Sequence, residues 1–245
     1  MNNKNHRFYR NWLNNSHLEK FTVNFKETDL LIRAPQKYPE YCLHIVKKLR
    51  NKLDKYIDNN KQFLKSLKPI KLEKNATQPA KKMAASARKV NIGPMAAVAG
   101  LFSEKVGKDL LKKTEEVIVE NGGDIFLATK KDPIIGIYAG ENSPFTGKFA
   151  IKISSENIPL GICTSAGTVG PSLSKGKADA VIVISPETTL ADAAATALGN
   201  MVQTKTDIDK TINYGKKIDN ITGLVIIKDD KIGIWGELEI IKNEN

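Results

Sequence analysis

Six short apolar runs follow one another between Glu116 and Ile184, and this succession constrains the fold more than any other feature of the chain. They are Glu116 to Val119, Ile125 to Ala128, Ile134 to Tyr138, Phe149 to Ile153, Gly161 to Thr164 and Ala180 to Ile184. Parallel neighbours need a long crossover, usually a helix, whereas strands joined by short turns pair antiparallel. Near the start, Phe21-Thr22-Val23-Asn24-Phe25 alternates with period two, and Leu30-Leu31-Ile32 follows Lys26-Glu27-Thr28-Asp29 as the second arm of a hairpin. Leu224 to Lys228 and Lys231 to Trp235, joined by Asp229-Asp230, predict a closing hairpin. Hairpins outnumber strand-helix-strand units, so the expected class is α+β, a largely antiparallel sheet with packed helices.

Three segments carry a helical period or helical composition. From Pro39, the residues Cys42, Ile45, Val46, Leu49, Leu53, Tyr56 and Ile57 recur at three- and four-residue steps, an amphipathic helix with proline near its first turn. Gly93-Pro94 opens a small-residue helix, Met95 to Phe102, that continues to Lys113, and its alanines and glycine allow another element to approach closely. A third helix is expected over about Leu190 to Gln203. By contrast, Glu73 to Lys89 is rich in Lys, Ala, Thr, Gln and Pro and lacks a strong apolar stripe, so it reads as a mobile or partner-ordered connection. The expected organisation is one domain over 1–245, with a basic hairpin-plus-helix part at 1–72, the connection at 73–90 and a motif-bearing core at 91–245.

Charge is divided unevenly along the chain. Residues 1–90 hold 21 Lys+Arg against 7 Asp+Glu, while residues 91–245 hold 17 against 20. A basic part can attract nucleic acid or acidic partners, but no nucleic-acid motif and no row of stacking aromatics accompanies it. Lys47, Lys48, Lys52 and Lys55 instead suit the solvated face of the first helix. No apolar run approaches the roughly 18 to 20 residues of a membrane span, and the N-terminus has no apolar signal core, so a cytoplasmic protein is expected, with no membrane partner. The two cysteines, Cys42 and Cys163, are too few for a metal cluster or disulfide framework.

Three small-residue segments could together hold a phosphate-bearing ligand. Asn121-Gly122-Gly123-Asp124 lies between two strand signals; it is a plain hairpin turn, or a place where two glycines let a phosphate approach while Asp124 takes a hydroxyl, an amine or a metal. Cys163 to Gly176 combines Thr164, Ser165, Gly167, Thr168, Ser172 and Ser174 with further glycines and nearby Lys175 and Lys177, a density of hydroxyls and amides that suits a pyrophosphate or carboxylate. It does not have Walker A spacing. Cys163 is a candidate nucleophile or sulfur carrier, or a buried strand-end thiol; His6, His17 and His44 all lie far off in sequence. In the third segment, Asp192 and Thr196 sit four apart on one helix face and could share a Mg²⁺ ion, although Thr189 to Asp192 also has the spacing of a helix cap.

In order along the chain, Asn-Gly-Gly-Asp, Thr-Ser-x-Gly and Ala-Asp-Ala-x-x-Thr-Ala resemble the ApbE-like superfamily of flavin transferases. The resemblance is closer to an uncharacterised archaeal and bacterial branch, running from Lys26-Glu27-Thr28-Asp29-Leu30 through Gly93-Pro94-Met95-Ala96-Ala97 and Cys163-Thr164-Ser165-Ala166-Gly167-Thr168 to Ala191-Asp192-Ala193-Ala194-Ala195-Thr196-Ala197. It implies an ApbE-like fold in which Gly122, Gly123 and Asp124 line a dinucleotide pocket, Thr164 and Ser165 touch it, and Asp192 with Thr196 holds Mg²⁺. Transferases of the superfamily cleave flavin adenine dinucleotide (FAD) and pass the mononucleotide to a protein threonine. After Thr-Ser-x-Gly they carry a His-x-x-Asp-Pro-x-Thr-Gly segment, whereas Thr168 to Pro186 contains no histidine. Binding without standard transfer is therefore expected. Two other readings compete: an accessory of sulfide assimilation toward homocysteine, using Cys163, and a non-catalytic nucleic-acid or partner-binding protein, with a homo-oligomer compatible with each.

Overall fold

The computed structural model of the protein describes residues 17–167 and 176–243. Two strands, β1 (Glu19–Phe25) and β2 (Thr28–Ala34), form the first hairpin, and α1 (Pro39–Asn59), α2 (Lys61–Lys65), α3 (Gln78–Lys89) and α4 (Val98–Leu110) follow. Next come β3 (Val117–Asn121), β4 (Asp124–Ala128), β5 (Ile134–Gly136), β6 (Phe149–Lys152), β7 (Leu160–Ser165) and β8 (Ala180–Ser185). The chain then forms α5 (Thr188–Met201), α6 (Ile208–Gly215), β9 (Gly223–Lys228), β10 (Lys231–Gly236) and β11 (Glu239–Lys242).

Eight strands make one sheet in the order β1-β2-β3-β4-β7-β8-β9-β10, and three make a second in the order β11-β6-β5. Every pairing is antiparallel. The expected α+β class and largely antiparallel sheet are thus what the chain adopts. The insertions explain the layers. Helices inserted between β2 and β3 and between β8 and β9 cover one face of the large sheet, while the small sheet, inserted after β4 and completed by β11, covers the other. Side chains alternate across a strand, so a strand buried on both faces reads as an unbroken apolar run. In β8, Val181 and Val183 enter the core under the helices, whereas Ala180, Ile182 and Ile184 enter the core against the small sheet.

The stretch expected to be a mobile connection is corrected here, because Gln78–Lys89 is the helix α3. Ala80, Met83, Ala84 and Ala87 are buried in the helix-side core, with Pro79 in the first turn. Alanines at helical spacing form an apolar stripe only when a neighbour comes close enough to cover them, which is why composition hid it. On α1, Lys47, Lys48, Lys52 and Lys55 are exposed opposite the buried Cys42, Val46, Leu49 and Leu53, so the solvated-face reading holds. No helix among the described residues is long and apolar enough to cross a membrane.

The helices α4 and α5 cross at their N-terminal ends, where each has orphan backbone amides. Gly100 donates its amide to Asp192 Oδ2 at 2.7 Å, so a carboxylate from α5 caps α4. Thr189 donates its amide and its hydroxyl to Glu104 Oε2 at 3.0 and 2.6 Å, so a carboxylate from α4 caps α5. Anions at helix N-termini are favoured by the macrodipole. At Gly100 a Cβ would stand 2.5 Å from Thr188 O and 2.7 Å from Asp192 Cβ, so the small-residue run admits α5.

Glu104 is buried beside the ammonium groups of Lys82 and Lys108. Burial opposes its charge, but hydrogen bonds from Lys108, Lys82 and Thr189 outweigh it and hold the carboxyl at about 2, below its ordinary 4.5. A depressed carboxyl stabilises the fold above its unfolded pKa, and the contribution is lost as pH falls through the folded value. Glu104→Gln should therefore cost about 2 kcal/mol at neutral pH, the half-exposed lysines screening part of a larger shift. The difference from wild type should vanish as pH falls from about 4.5 to about 2 in urea titrations. Gly100→Ala should cost about 2 kcal/mol, or roughly 4 to 8 °C in Tm, despite alanine's better helix propensity, because the clash is with backbone.

Candidate functional site

Gly122 and Gly123 form a two-residue turn between β3 and β4, with φ of +67° and +105°. The ladder pairs Asn121 with Asp124 across them, so the hairpin reading of the Asn-Gly-Gly-Asp segment is correct as geometry. Positive φ favours glycine. A Cβ on Gly122 would meet nothing within 4 Å, which leaves open space over the turn, while the Gly123 amide is occupied by Glu120 Oε1 at 2.9 Å. Asn121 Nδ2 reaches Ala99 O at 3.1 Å, tying the turn to the start of α4.

The same register brings the first and second segments together. Asp124 lies opposite Cys163 in the β4–β7 ladder, and alternation sends both side chains to the helix face, toward α5. Asp192 reaches this space from α5, so three residues separated widely in sequence meet beneath the glycine turn. Asp124 Oδ1 is buried with no hydrogen-bond partner. Burial, and then the charge of Asp192, push the Asp124 carboxyl well above the usual carboxylate range; the Cys163 thiol opposes this, the charge of Glu120 adds to it and the Thr164 amide opposes it. Asp192 is raised to about 7 by burial, against which the amides of Gly100 and Ala99 work. Two carboxyls placed together in a buried site cannot both ionise freely, and a cation or bound proton relieves the conflict.

Cys163 is fully buried, and its Sγ donates to Thr188 O at 3.4 Å. Burial raises the thiol well above its ordinary value, and the charges of Asp124 and Asp192 raise it further. The thiolate is the nucleophilic form, so these surroundings keep Cys163 unreactive. Ser165 is buried at the end of β7, Thr164 is half-buried near Gly123, and the Gly167 amide donates to Ala178 O at 2.8 Å. Thr168, with Gly170, Ser172, Ser174 and Lys175, lies outside the described residues. Thr196 is half-buried one turn beyond Asp192 on α5.

No group of three or more His, Cys, Asp or Glu residues among the described residues could hold a metal ion. What is present is a pair of oxygen donors, Asp124 and Asp192, one with an orphaned oxygen. That fits Mg²⁺, which takes one or two carboxylates and completes its shell with water and ligand phosphate. It does not fit a closed protein cage. Glu104 and Glu120 give no signal in the sequence, since a lone glutamate in a helix or strand carries no spacing, whereas the close approach at Gly100 is the one the small-residue run of that helix predicts. A surface depression lined by Gln36, Tyr38, Lys113 and Lys130 lies at the far ends of β3 and β4 and contains none of the expected site residues.

Residues 10–223 match the model of a family described as AbpE bacteria. A UPF0280 protein from Methanocaldococcus jannaschii is 39% identical over 232 residues, covering 92% of this chain and 94% of its own. A UPF0280 protein from Methanocella arvoryzae is 37% identical over 214 residues, covering 87% of this chain and 86% of its own. Among solved structures, the apo flavinyl transferase ApbE of Pseudomonas stutzeri superposes with a TM-score of 0.53 at 13% identity, over 93% of this chain and 94% of that one. The flavin transferase ApbE of Vibrio cholerae gives 0.50 at 12% identity, over 89% and 97%. These two similarities concern the fold alone.

A buried carboxyl with an unpartnered oxygen destabilises the unliganded chain. Asp124→Asn, which removes the ionisable carboxyl and keeps the shape, should raise Tm by roughly 2 to 4 °C for about 1 kcal/mol in ligand-free calorimetry. A fall in Tm would show that Asp124 is fully satisfied.

Proposed function

We propose a binding function from one premise: this chain belongs to the family described as AbpE bacteria, an ApbE-like branch with the flavin transferase fold. It binds a phosphate-bearing dinucleotide of the flavin type, with Mg²⁺, and does not carry out standard flavin transfer. The observation that carries this reading is the buried Asp124 and Asp192 pair beneath a glycine turn, with Asp124 Oδ1 unpartnered. Gly122 and Gly123 leave room for a phosphate above that pair, and Thr164 borders the space. Mg²⁺, when bound, would be held by Asp192 and Asp124, with the Thr196 hydroxyl as a further donor, and would offset pyrophosphate charge. The Gly100 amide fixes one oxygen of Asp192, and so sets where its other oxygen points.

The expectation that transfer is absent rests on the missing histidine, since Thr168 to Pro186 supplies no imidazole to move a proton. A sulfur-carrier role for Cys163 is less well supported, because its thiol is buried and held protonated.

In thermal-shift assays, FAD with MgCl₂ should stabilise the protein by about 2.7 kcal/mol at a hundredfold excess over Kd, and FAD with EDTA by much less. Asp192→Asn keeps an acceptor for the Gly100 amide and should abolish the Mg²⁺-dependent part. No shift with FAD, FMN, ATP or NAD in the presence of Mg²⁺ would overturn the reading. Mass spectrometry of a threonine-bearing acceptor protein incubated with FAD should show no added flavin mononucleotide.

A further inference from the structure

The two edges of the large sheet are protected very differently. On β1 the exposed positions are Glu19, Lys20, Thr22 and Asn24, all polar, and Lys37 pairs with Glu19 across the end of the strand. Charged and polar residues are the usual defence of an edge against further pairing. On β10, Lys231-Ile232-Gly233-Ile234-Trp235-Gly236, the only charge is at the first position, and there is no proline. Ile234 is 44% exposed. Beyond Lys231 this open edge carries no charge and no proline to discourage further pairing.

Backbone register says which groups are open. Lys228 pairs with Lys231 across the two-residue turn Asp229-Asp230, so Lys231, Gly233 and Trp235 exchange bonds with β9. The N–H and C=O groups of Ile232 and Ile234 therefore point away from the sheet, and no hydrogen bond from another described element covers them. The face of β10 toward the helices is closed by α6, with Lys216 Nζ 5.9 Å from the Trp235 ring centroid. Ile232 packs against the core under the other face. What remains unsatisfied is the edge itself. Ile234 is one of four exposed large apolar side chains among the described residues.

We propose that the β10 edge is the interface of a two-fold homodimer in which β10 pairs antiparallel with β10 of a second copy. An antiparallel pair related by a two-fold axis normal to the sheet must place one residue opposite itself, so that facing side chains share a face. With outward backbone groups on Ile232 and Ile234, the centre falls at Ile234: its N–H and C=O bond those of its counterpart, and Ile232 faces Gly236 on both sides. A second copy satisfies the open backbone groups and covers the isoleucine together, and joins two eight-stranded sheets into one.

Sedimentation velocity over a concentration series tests this with the full chain. Wild type should sediment as a monomer–dimer equilibrium. Ile234→Lys sets two lysines against each other at the centre and should weaken the dimer about a hundredfold, leaving far-UV circular dichroism unchanged. Thr22→Lys on the opposite edge should leave the dimer intact. A wild type that stays monomeric at every concentration overturns the proposal, as does a folded Ile234→Lys protein that dimerises like wild type. If Ile234→Lys fails to fold, Ile234→Thr replaces it: an undiminished dimer again overturns the proposal, and a weakened one supports it.

Discussion

Each of the two central helices begins at the other's carboxylate. Asp192 from α5 receives the Gly100 amide of α4, and Glu104 from α4 receives the Thr189 amide and hydroxyl of α5. The exchange fixes the offset of the two helices and gives each N-terminal end a carboxylate partner. Small residues make it sterically available: Gly100 admits α5, and Ala191, Ala193, Ala194 and Ala195 are buried on the other side of the crossing. Because α5 also packs on β7 and β8, the crossing determines where the sheet's central strands meet the helices.

The two caps differ in electrostatics, and the difference separates stability from function. Glu104 is surrounded by Lys82, Lys108 and Thr189 and stays ionised far below neutral pH. Asp192 has only amides against its burial and has Asp124 as a neighbour. One carboxylate is structural and compensated; the other is costly and undercompensated. Buried like charges cluster at functional sites, and what the protein itself omits beside Asp124 and Asp192 is a positive charge.

Much of the fold was legible in local sequence. Period-two alternation located β1, and the amphipathic period located α1, because each element buries one face against a single layer. The apolar run of β8 also announced itself, since both its faces are covered. The helix α3 was missed because its stripe is mostly alanine, which looks apolar only beside a close neighbour. The short α6 and β11 gave too few residues for a period to show.

For the candidate site, the sequence determined which residue types are present: a glycine turn needing positive φ, a strand ending in Cys163, and a helix bearing Asp192 and Thr196. Those properties are local, set by backbone sterics and by side-chain spacing within one element. Tertiary structure alone decided that Asp124, Cys163 and Asp192 converge, that Cys163 is shut away from solvent, and that Glu104 rather than Thr189 to Asp192 caps α5. Each of these depends on strand register and on one helix crossing. Such relations join residues as many as 92 positions apart and leave no periodic trace in the chain.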